Sequence, residues 1–509
     1  MFSEEDIKLE TNNGVKRSAK FKSEVIINPF LRDKNYWDKE NELFDKIKTA
    51  ILTVLLVPIR IVCMFSLLLL AWCFAYIGIY GYSREDLKLK PLKGWRRKLR
   101  TLVGWIFRGM YVVGSAHYVK IKGKRADPKD APILLGAPHT SFFDSLTVVL
   151  SGPSCVVGKV EAGDIPLFGK LIDMAQPIYV NREDHNSRQS TIQDILNRVK
   201  SNDDWPQTMI FPEGTCTNRT SLIQFKCGAF YPGLPIQPVL IRYPNKVDTF
   251  TWTWSGPDVM MLIWRTLAQF HTFVEIEYLP VYVPNDEEKK DPKLYAKNVQ
   301  RLMSKELNIP TSDYTFDDCK LMENAVKSKL LFAEQLSDVQ RFREKIGLAQ
   351  SQIEEYIVKE NFKGNEDYYL EFSEFVQRLK IPADNTSYTL FKFFVGASDI
   401  GDVIDFKEYL LHALFLIKYS EAKIELLKMM FMLYGESGRL QREPFVNNVM
   451  KHFVKIKADQ LNKLFYSLDV NNVGSITFND FYNATKDDKK FAVLYKPNQN
   501  FRQRHKDSQ

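Results

Sequence analysis

One long apolar block, Ile51 to Tyr80, limits the fold of this 509-residue chain more than any other feature. From Ile61 onward it carries no charged residue for about the 20 residues that a bilayer-spanning helix needs. Membrane attachment through a helix or a hairpin is therefore expected. The block is too long for the apolar part of a signal peptide, and a largely polar stretch precedes it. Lys46 and Lys48 lie before it, while Arg84, Lys88, Lys90, Lys93, Arg96, Arg97, Lys98 and Arg100 crowd the far side, so the far side is expected in the cytosol. Two residues complicate a plain span. Pro58 removes a helix hydrogen bond, and Arg60 is costly in lipid unless it snorkels, which leaves a bent re-entrant hairpin open. The following Trp95 to Gly114 mixes basic and aromatic residues as an interfacial helix on anionic lipid does, or as a domain helix with a solvated basic face does.

The length allows two or three domains, because single cores stop growing at roughly 250–300 residues. A net charge of +8 is modest for such a chain and names no partner; nucleic acid is not expected. Cys63, Cys73, Cys155, Cys216, Cys227 and Cys319 form neither a C-x-x-C pair nor a regular framework, which fits free thiols in a reducing compartment.

Short apolar runs alternate with helix-like patterns between about Tyr118 and Pro284, the signature of an α/β domain. The candidate strands are APILLGAP, SCVVGK, PIYVNR, TMIFPEG, IQPVLIRY and FVEIEYLPVYV, with a helical pattern over Ser187 to Lys200. Beyond VPNDEEKKDP helical patterns dominate, and a motif repeats. IDFKEYL from Ile404, LQREPFV from Leu440 and ITFNDFY from Ile476 are spaced by 36 residues, and LEFSEFV from Leu370 lies 34 before the first. Such a period means stacked supersecondary units. Each apolar residue matches the eighth position of an EF-hand calcium loop. The expected organisation is a polar segment 1–42, membrane-anchoring and interfacial helices 43–115, an α/β domain 116–310, an all-α EF-hand-like domain 325–488 and a polar tail 489–509.

In GAPHTSFFDSLTVVL a buried strand runs into a turn at Ala137-Pro138, and a helix then begins with Thr140 or Ser141 as its cap. His139 falls at the strand's C-terminal end, where α/β sheets present ligands, and Asp144 is near enough to curl back to the imidazole. An aspartate accepting the Nδ1 proton leaves the other nitrogen free to take a proton from a hydroxyl. By itself the pair is short enough to arise by chance and reads first as a structural loop. Downstream, Arg182 ends another strand with a planar fork suited to phosphate, and Glu213-Gly214-Thr215 ends a third.

His139-x4-Asp144, the Arg182 block, FPEGTCTNRT and PIQPVLIRYPNK, in this order, resemble the glycerolipid acyltransferases. APHTSFFDS, EGTCTNR, QPVLIRYPNKVDTFTWTW and VPNDEEKKDP look like lysophosphatidylcholine acyltransferases of the branch with C-terminal EF-hands, over roughly Leu43 to Asp488. The resemblance implies transfer of an acyl group from acyl-CoA to the free hydroxyl of a lysophospholipid. His139 would be the general base, Asp144 its orienting partner, and Arg182, Glu213, Gly214, Thr215 and Cys216 the substrate-binding residues. Cys216 is set aside as a nucleophile, since no second base is evident beside it and the His-Asp pair makes direct transfer sufficient. No cofactor is required beyond acyl-CoA as co-substrate. Membrane lipids, and a second copy of the chain, are the further partners considered, on the endoplasmic reticulum with the catalytic domain facing the cytosol, or on lipid droplets or Golgi. Acetyl transfer to lyso-platelet-activating factor, acylation of lysophosphatidic acid and a calcium-responsive membrane adaptor are the alternatives.

Calcium loops need oxygens at positions one, three, five, seven, nine and twelve, with glycine at six. DVNNVGSITFND keeps Asp469, Asn471, Gly474, Ser475, Thr477 and Asp480, but has Val473 at five and a short acid at twelve, a weak or lost site. ASDIGDVIDFKE keeps Asp399 and Glu408 yet starts with Ala397; LYGESGRLQREP ends in Pro444 and should be metal-free. His117, His185, His271 and His412 read as structural, and the sequons at Asn218, Asn385 and Asn483 matter only in a lumen.

Overall fold

The computed structural model describes residues 2–10, 16–24, 27–32, 43–152, 154–180, 187–201, 203–360, 368–395, 402–453 and 457–496. Two compact units result, one of residues Ile27–Phe316 and one of Met1–Ile26 with Asp317–Gln509. The apolar block thus folds with the α/β core rather than apart from it. The N-terminal segment contributes an antiparallel hairpin, β1 (Phe2–Glu10) and β2 (Lys16–Glu24), to the second unit.

The first unit is built on a seven-stranded sheet of β3 (Tyr118–Lys122), β4 (Ile133–Ala137), β5 (Cys155–Lys159), β6 (Ile178–Val180), β7 (Thr208–Ile210), β8 (Ile236–Arg242) and β9 (Phe273–Tyr278), ordered β3-β9-β8-β4-β7-β5-β6. From β8 to β6 all pairings are parallel; β9 runs antiparallel to β8 and pairs in parallel with β3. ILLGA of β4 is buried throughout, as a central strand covered on both faces must be. All six strands read from the sequence are present. β3, an edge strand with a largely exposed YVKIK, has no buried run to announce it.

Helices α1 (Leu43–Leu55), α2 (Val57–Ile79) and α3 (Gly94–Val113) form the N-terminal part of this unit. By length and composition α2 is the one helix among the described residues apolar enough to cross a membrane. Pro58 does not kink it: the helix starts at Val57, so the missing N–H belongs to the first turn, where it would be unpaired anyway. Arg60 does not snorkel either. Its guanidinium is buried and donates to the carbonyls of Leu267, Gln269 and Phe270, at the C-terminus of α7 (Val259–Leu267). Three carbonyls and a helix C-terminus are what such a charge requires once away from water. At the other end Ala71, Ala75 and Gly78 let α2 pack closely on α3 and on α5 (Phe168–Met174); a Cβ on Gly78 would meet Met174 Cε at 2.5 Å. The basic face of α3 is divided. Arg100 is buried and donates to the Ala175 carbonyl, and Arg97 pairs with Asp204, while Trp95 and Trp105 stand exposed. Helices α4 (Ser145–Leu150), α6 (Ser187–Lys200) and α8 (Pro292–Leu307) complete the elements used below.

The second unit is helical around a large aromatic and aliphatic core. Its four sequence repeats meet in pairs. β10 (Tyr369–Leu370) pairs antiparallel with β11 (Ile404–Asp405), and β12 (Arg439–Gln441) with β13 (Ser475–Thr477). Leu370 faces Ile404 and Leu440 faces Ile476, so the repeating apolar residue is the residue that pairs, and all four are buried.

Candidate active site

Strands β8, β4 and β7 lie side by side and parallel, so the residues just past their C-terminal ends, Tyr243, His139 and Glu213, meet on one edge of the sheet. His139 follows a cis Ala137-Pro138 peptide, and its imidazole Nδ1 lies 2.7 Å from Asp144 Oδ2. The same oxygen accepts the backbone N–H of Thr140 at 2.7 Å and of Ser141 at 3.0 Å. The other carboxylate oxygen accepts the Tyr243 hydroxyl at 2.6 Å. An aspartate with four donors is fixed in direction, and as an acceptor it assigns the Nδ1–H tautomer to a neutral His139. The imidazole side chain keeps 23% of its surface exposed against 1% for Asp144, so an incoming molecule reaches the ring and not the carboxylate. Burial works against a charged imidazole, but Cys216 and the Asp144 carboxylate outweigh it and raise the His139 pKa well above the ordinary histidine range.

The ring stacks on Phe211, centroids 4.5 Å apart. Gly136 makes room for this, since a Cβ there would sit 2.8 Å from Phe211 Cε1. The His139 turn is further tied down by Thr217 N–H to the His139 carbonyl and Trp252 N–H to the Thr140 carbonyl. Tyr243 stacks on Phe250 at 4.3 Å, which holds its hydroxyl on Asp144.

Glu213 is fully buried. Its Oε2 accepts the His139 backbone N–H at 2.6 Å, and burial pushes its pKa up to about 7. Gly214, Thr215 and Cys216, by contrast, are partly exposed. Gly214 has φ +70°, and a Cβ on it would press into the Lys226 side chain, whose ammonium lies over the Phe316 ring. Cys216 comes within hydrogen-bonding reach of the His139 side chain. The sequence offered no second base for this thiol; the fold places it beside the same base. Arg182 and His185 lie outside the described residues. Asn218 is no exposed acceptor: its side-chain amide donates to the carbonyls of Asn28 and Leu31. His412 is a core residue whose Nε2 accepts the Phe332 N–H.

The expected calcium ligands are engaged in hydrogen bonds of the loop itself. Asp469 spends its oxygens on the N–H groups of Val473 and Gly474, and Asp480 and Thr477 cap each other at a helix start. Ser475 receives the guanidinium of Arg439 on its hydroxyl and on its carbonyl, both at 2.9 Å, and Asn471 is exposed. Among the described residues no group of three or more His, Cys, Asp or Glu side chains could hold a metal ion. Ala397, Asp399 and Gly401 of the second loop lie outside the described residues.

Tyr243 and Phe211 are functional neighbours that the sequence did not disclose. Tyr243 stands in the quoted PIQPVLIRYPNK, but only strand pairing brings it to Asp144.

A family model described as Acyltransferase matches residues 118–242. The chain is 46% identical over 459 residues to "Lysophosphatidylcholine acyltransferase" of Drosophila melanogaster, covering 89% of this chain and 86% of the relative. It is 38% identical to the human "Lysophosphatidylcholine acyltransferase 1", over 88% of this chain and 83% of that one, and 35% identical to the human "Lysophosphatidylcholine acyltransferase 2", over 94% and 87%. Among solved structures, that of the 1-acyl-sn-glycerophosphate (LPA) acyltransferase from Thermotoga maritima matches with a TM-score of 0.35 and 19% identity, over 53% of this chain and 99% of that one.

Proposed function

The chain belongs to the lysophosphatidylcholine acyltransferases, and from that premise we propose that it moves an acyl group from acyl-CoA to the free hydroxyl of a membrane-resident lysophospholipid, lysophosphatidylcholine first among them. The observation that carries the mechanism is the His139–Asp144 contact, closed by three further donors on the carboxylate, at an imidazole that remains reachable.

His139 Nδ1–H donates to Asp144, so Nε2 is the basic nitrogen. A glycerol hydroxyl is too weak an acid to be ionised beforehand by imidazole, so its proton passes to Nε2 as its oxygen attacks the thioester carbonyl. The tetrahedral oxyanion then collapses, the carbon–sulfur bond breaks, and the imidazolium returns the proton to the leaving thiolate. Asp144 orients the ring and stabilises the imidazolium without taking the proton. Glu213 braces the His139 turn through its backbone N–H, while Gly214, Thr215 and Cys216 form the rim that meets substrate, and Arg182 takes the lipid phosphate. The reaction as written requires no cofactor beyond acyl-CoA as co-substrate. The Asp469–Asp480 loop acts as a packing scaffold whose local cation is Arg439. The enzyme works at a cytosolic membrane face, with endoplasmic reticulum and lipid droplets as the compartments to examine.

The test is product analysis by mass spectrometry with purified protein, mixed lysolipids and mixed acyl-CoAs including acetyl-CoA. His139→Ala should lower turnover by about 10²–10⁴-fold with folding intact. Wild-type turnover in that variant would remove the general-base assignment. A product set confined to acetylated lipid or to acylated lysophosphatidic acid would replace the substrate assignment.

A further inference from the structure

We propose that α7 is a second bilayer-contacting element, which seats the catalytic edge of the sheet on the lipid surface so that the acceptor reaches His139 from the membrane plane. The inference rests on the membrane-enzyme reading above and adds the surface through which it works.

The argument begins with α7 itself. Asp258 caps it, accepting the Met261 N–H at 2.8 Å, and Leu262, Thr266 and Leu267 are buried against the body of the unit. That leaves Met260 at 73% exposure, Met261 at 43% and Trp264 at 36% on the open side, with Phe270 at 64% just beyond the helix end. Two methionines and a tryptophan on a short helix, followed by an exposed phenylalanine, are an unusual set for a surface in water.

What covers it is fixed by α2. Val57 packs with Leu267 and Ala268, Met64 and Ile263 join the same cluster, and Arg60 grips the carbonyls of Leu267, Gln269 and Phe270. The first two turns of α2, the one helix among the described residues apolar enough to cross a membrane, are therefore fused to α7. If α2 enters lipid, α7 lies at that boundary, and α1, which also contacts α7, leaves Phe44 and Val54 72% and 74% exposed. Trp264 and Phe270 then sit at the depth where aromatic rings are favoured. The link to the site is short: Trp252 donates its N–H to Thr140 and its ring packs edge-on to Phe142 at 5.6 Å, only six residues before the Asp258 cap.

The full-length protein is reconstituted in phosphatidylcholine vesicles that contain a diazirine-bearing phosphatidylcholine, irradiated, and the lipid adducts are mapped by mass spectrometry. Adducts are expected on the α7 peptide as well as on α2, and Met260→Asp with Met261→Asp should remove those on α7 while those on α2 remain. The same double variant should lose about tenfold or more in rate toward lysophosphatidylcholine held in vesicles, with its thermal midpoint in detergent unchanged. Toward a short-chain lysolipid dissolved as monomers its rate should equal that of the wild type. Adducts on α2 with none on α7 would overturn the proposal, as would equal loss on both substrate forms. A cross-link from α7 to a second copy of the chain would assign the stripe to a dimer instead. Should the wild type prove inactive on every lysolipid, the functional reading fails, and the adduct map still decides what α7 touches.

Discussion

Tyr243 is the residue whose removal best separates catalysis from structure. Its hydroxyl spreads the negative charge of Asp144, so Tyr243→Phe concentrates that charge on the oxygen facing His139 and stabilises the imidazolium. The base must be neutral to act, so a raised His139 pKa means that activity is lost as pH falls through it. The acid limb of kcat/KM should therefore lie above the ordinary histidine value of about 6.5 in the wild type and move higher still in Tyr243→Phe. Near neutral pH the variant's kcat/KM should therefore fall by roughly the tenfold that each pH unit of displacement of that limb gives, because less of the base is neutral, and should recover as pH rises. A lowered thermal midpoint with an unmoved limb would assign the tyrosine to packing alone. Glu213 offers the complementary case. A Gln there still accepts the His139 N–H, so Glu213→Gln should keep KM for lysolipid and most of the turnover while Glu213→Ala loses about tenfold or more; a KM raised by Gln would instead make the carboxylate a substrate ligand. His139 and Asp144 were legible because they are five residues apart and local turn chemistry joins them. Tyr243 was not, since it lies 99 residues from Asp144 and only the parallel β4–β8 pairing brings them together.

Among the elements, the four repeats illustrate what a period can and cannot convey. Spacings of 34 and 36 residues announced stacked units, and the structure adds that they meet in pairs, Leu370 against Ile404 and Leu440 against Ile476. The period said nothing of Arg439, which occupies the seventh position of its own loop and lies across the ribbon from the acidic one. Its guanidinium holds the Ser475 carbonyl, the oxygen that a calcium loop uses at that position, so the neighbourhood of that loop already contains a positive charge. Two consequences can be measured by calorimetry on the full chain in detergent. The unmodified protein should bind calcium no tighter than about 10⁻⁴–10⁻³ M. Restoring the missing ligands with Val473→Asp and Asp480→Glu should fall short of micromolar affinity until Arg439→Ala is added. Micromolar binding without any substitution would make calcium a regulator and reject the scaffold reading.

At the scale of the whole molecule, the apolar block was read easily while its seating was not, because the partners of Arg60 lie more than 200 residues further along. Those partners bear directly on how the helix can meet a membrane. Arg60 fastens the start of α2 to the Leu267–Phe270 carbonyls; near its end, Gly78 touches Met174 and its carbonyl accepts from Arg96. Between these two anchorages the helix rises by about 27 Å at 1.5 Å per residue, close to the ~30 Å of a bilayer's hydrocarbon. One folded unit thus grips both ends. Were α2 to cross the bilayer, that unit would have to follow it through hydrocarbon, carrying polar groups such as the Arg84–Asp164 ion pair, at a cost of several kcal/mol for each ion. Lying along the lipid surface, or dipping into one leaflet, avoids that cost and leaves the exposed side of α2 in lipid. Both flanks of the helix should then face the same compartment. In sealed vesicles with the catalytic unit outside, a membrane-impermeant amine reagent should modify Lys46 before α2 and Lys90 after it to similar extents, with no gain on adding detergent. Protection of Lys46 alone until detergent is added would establish a crossing helix and require the Arg60 anchorage to open in the membrane.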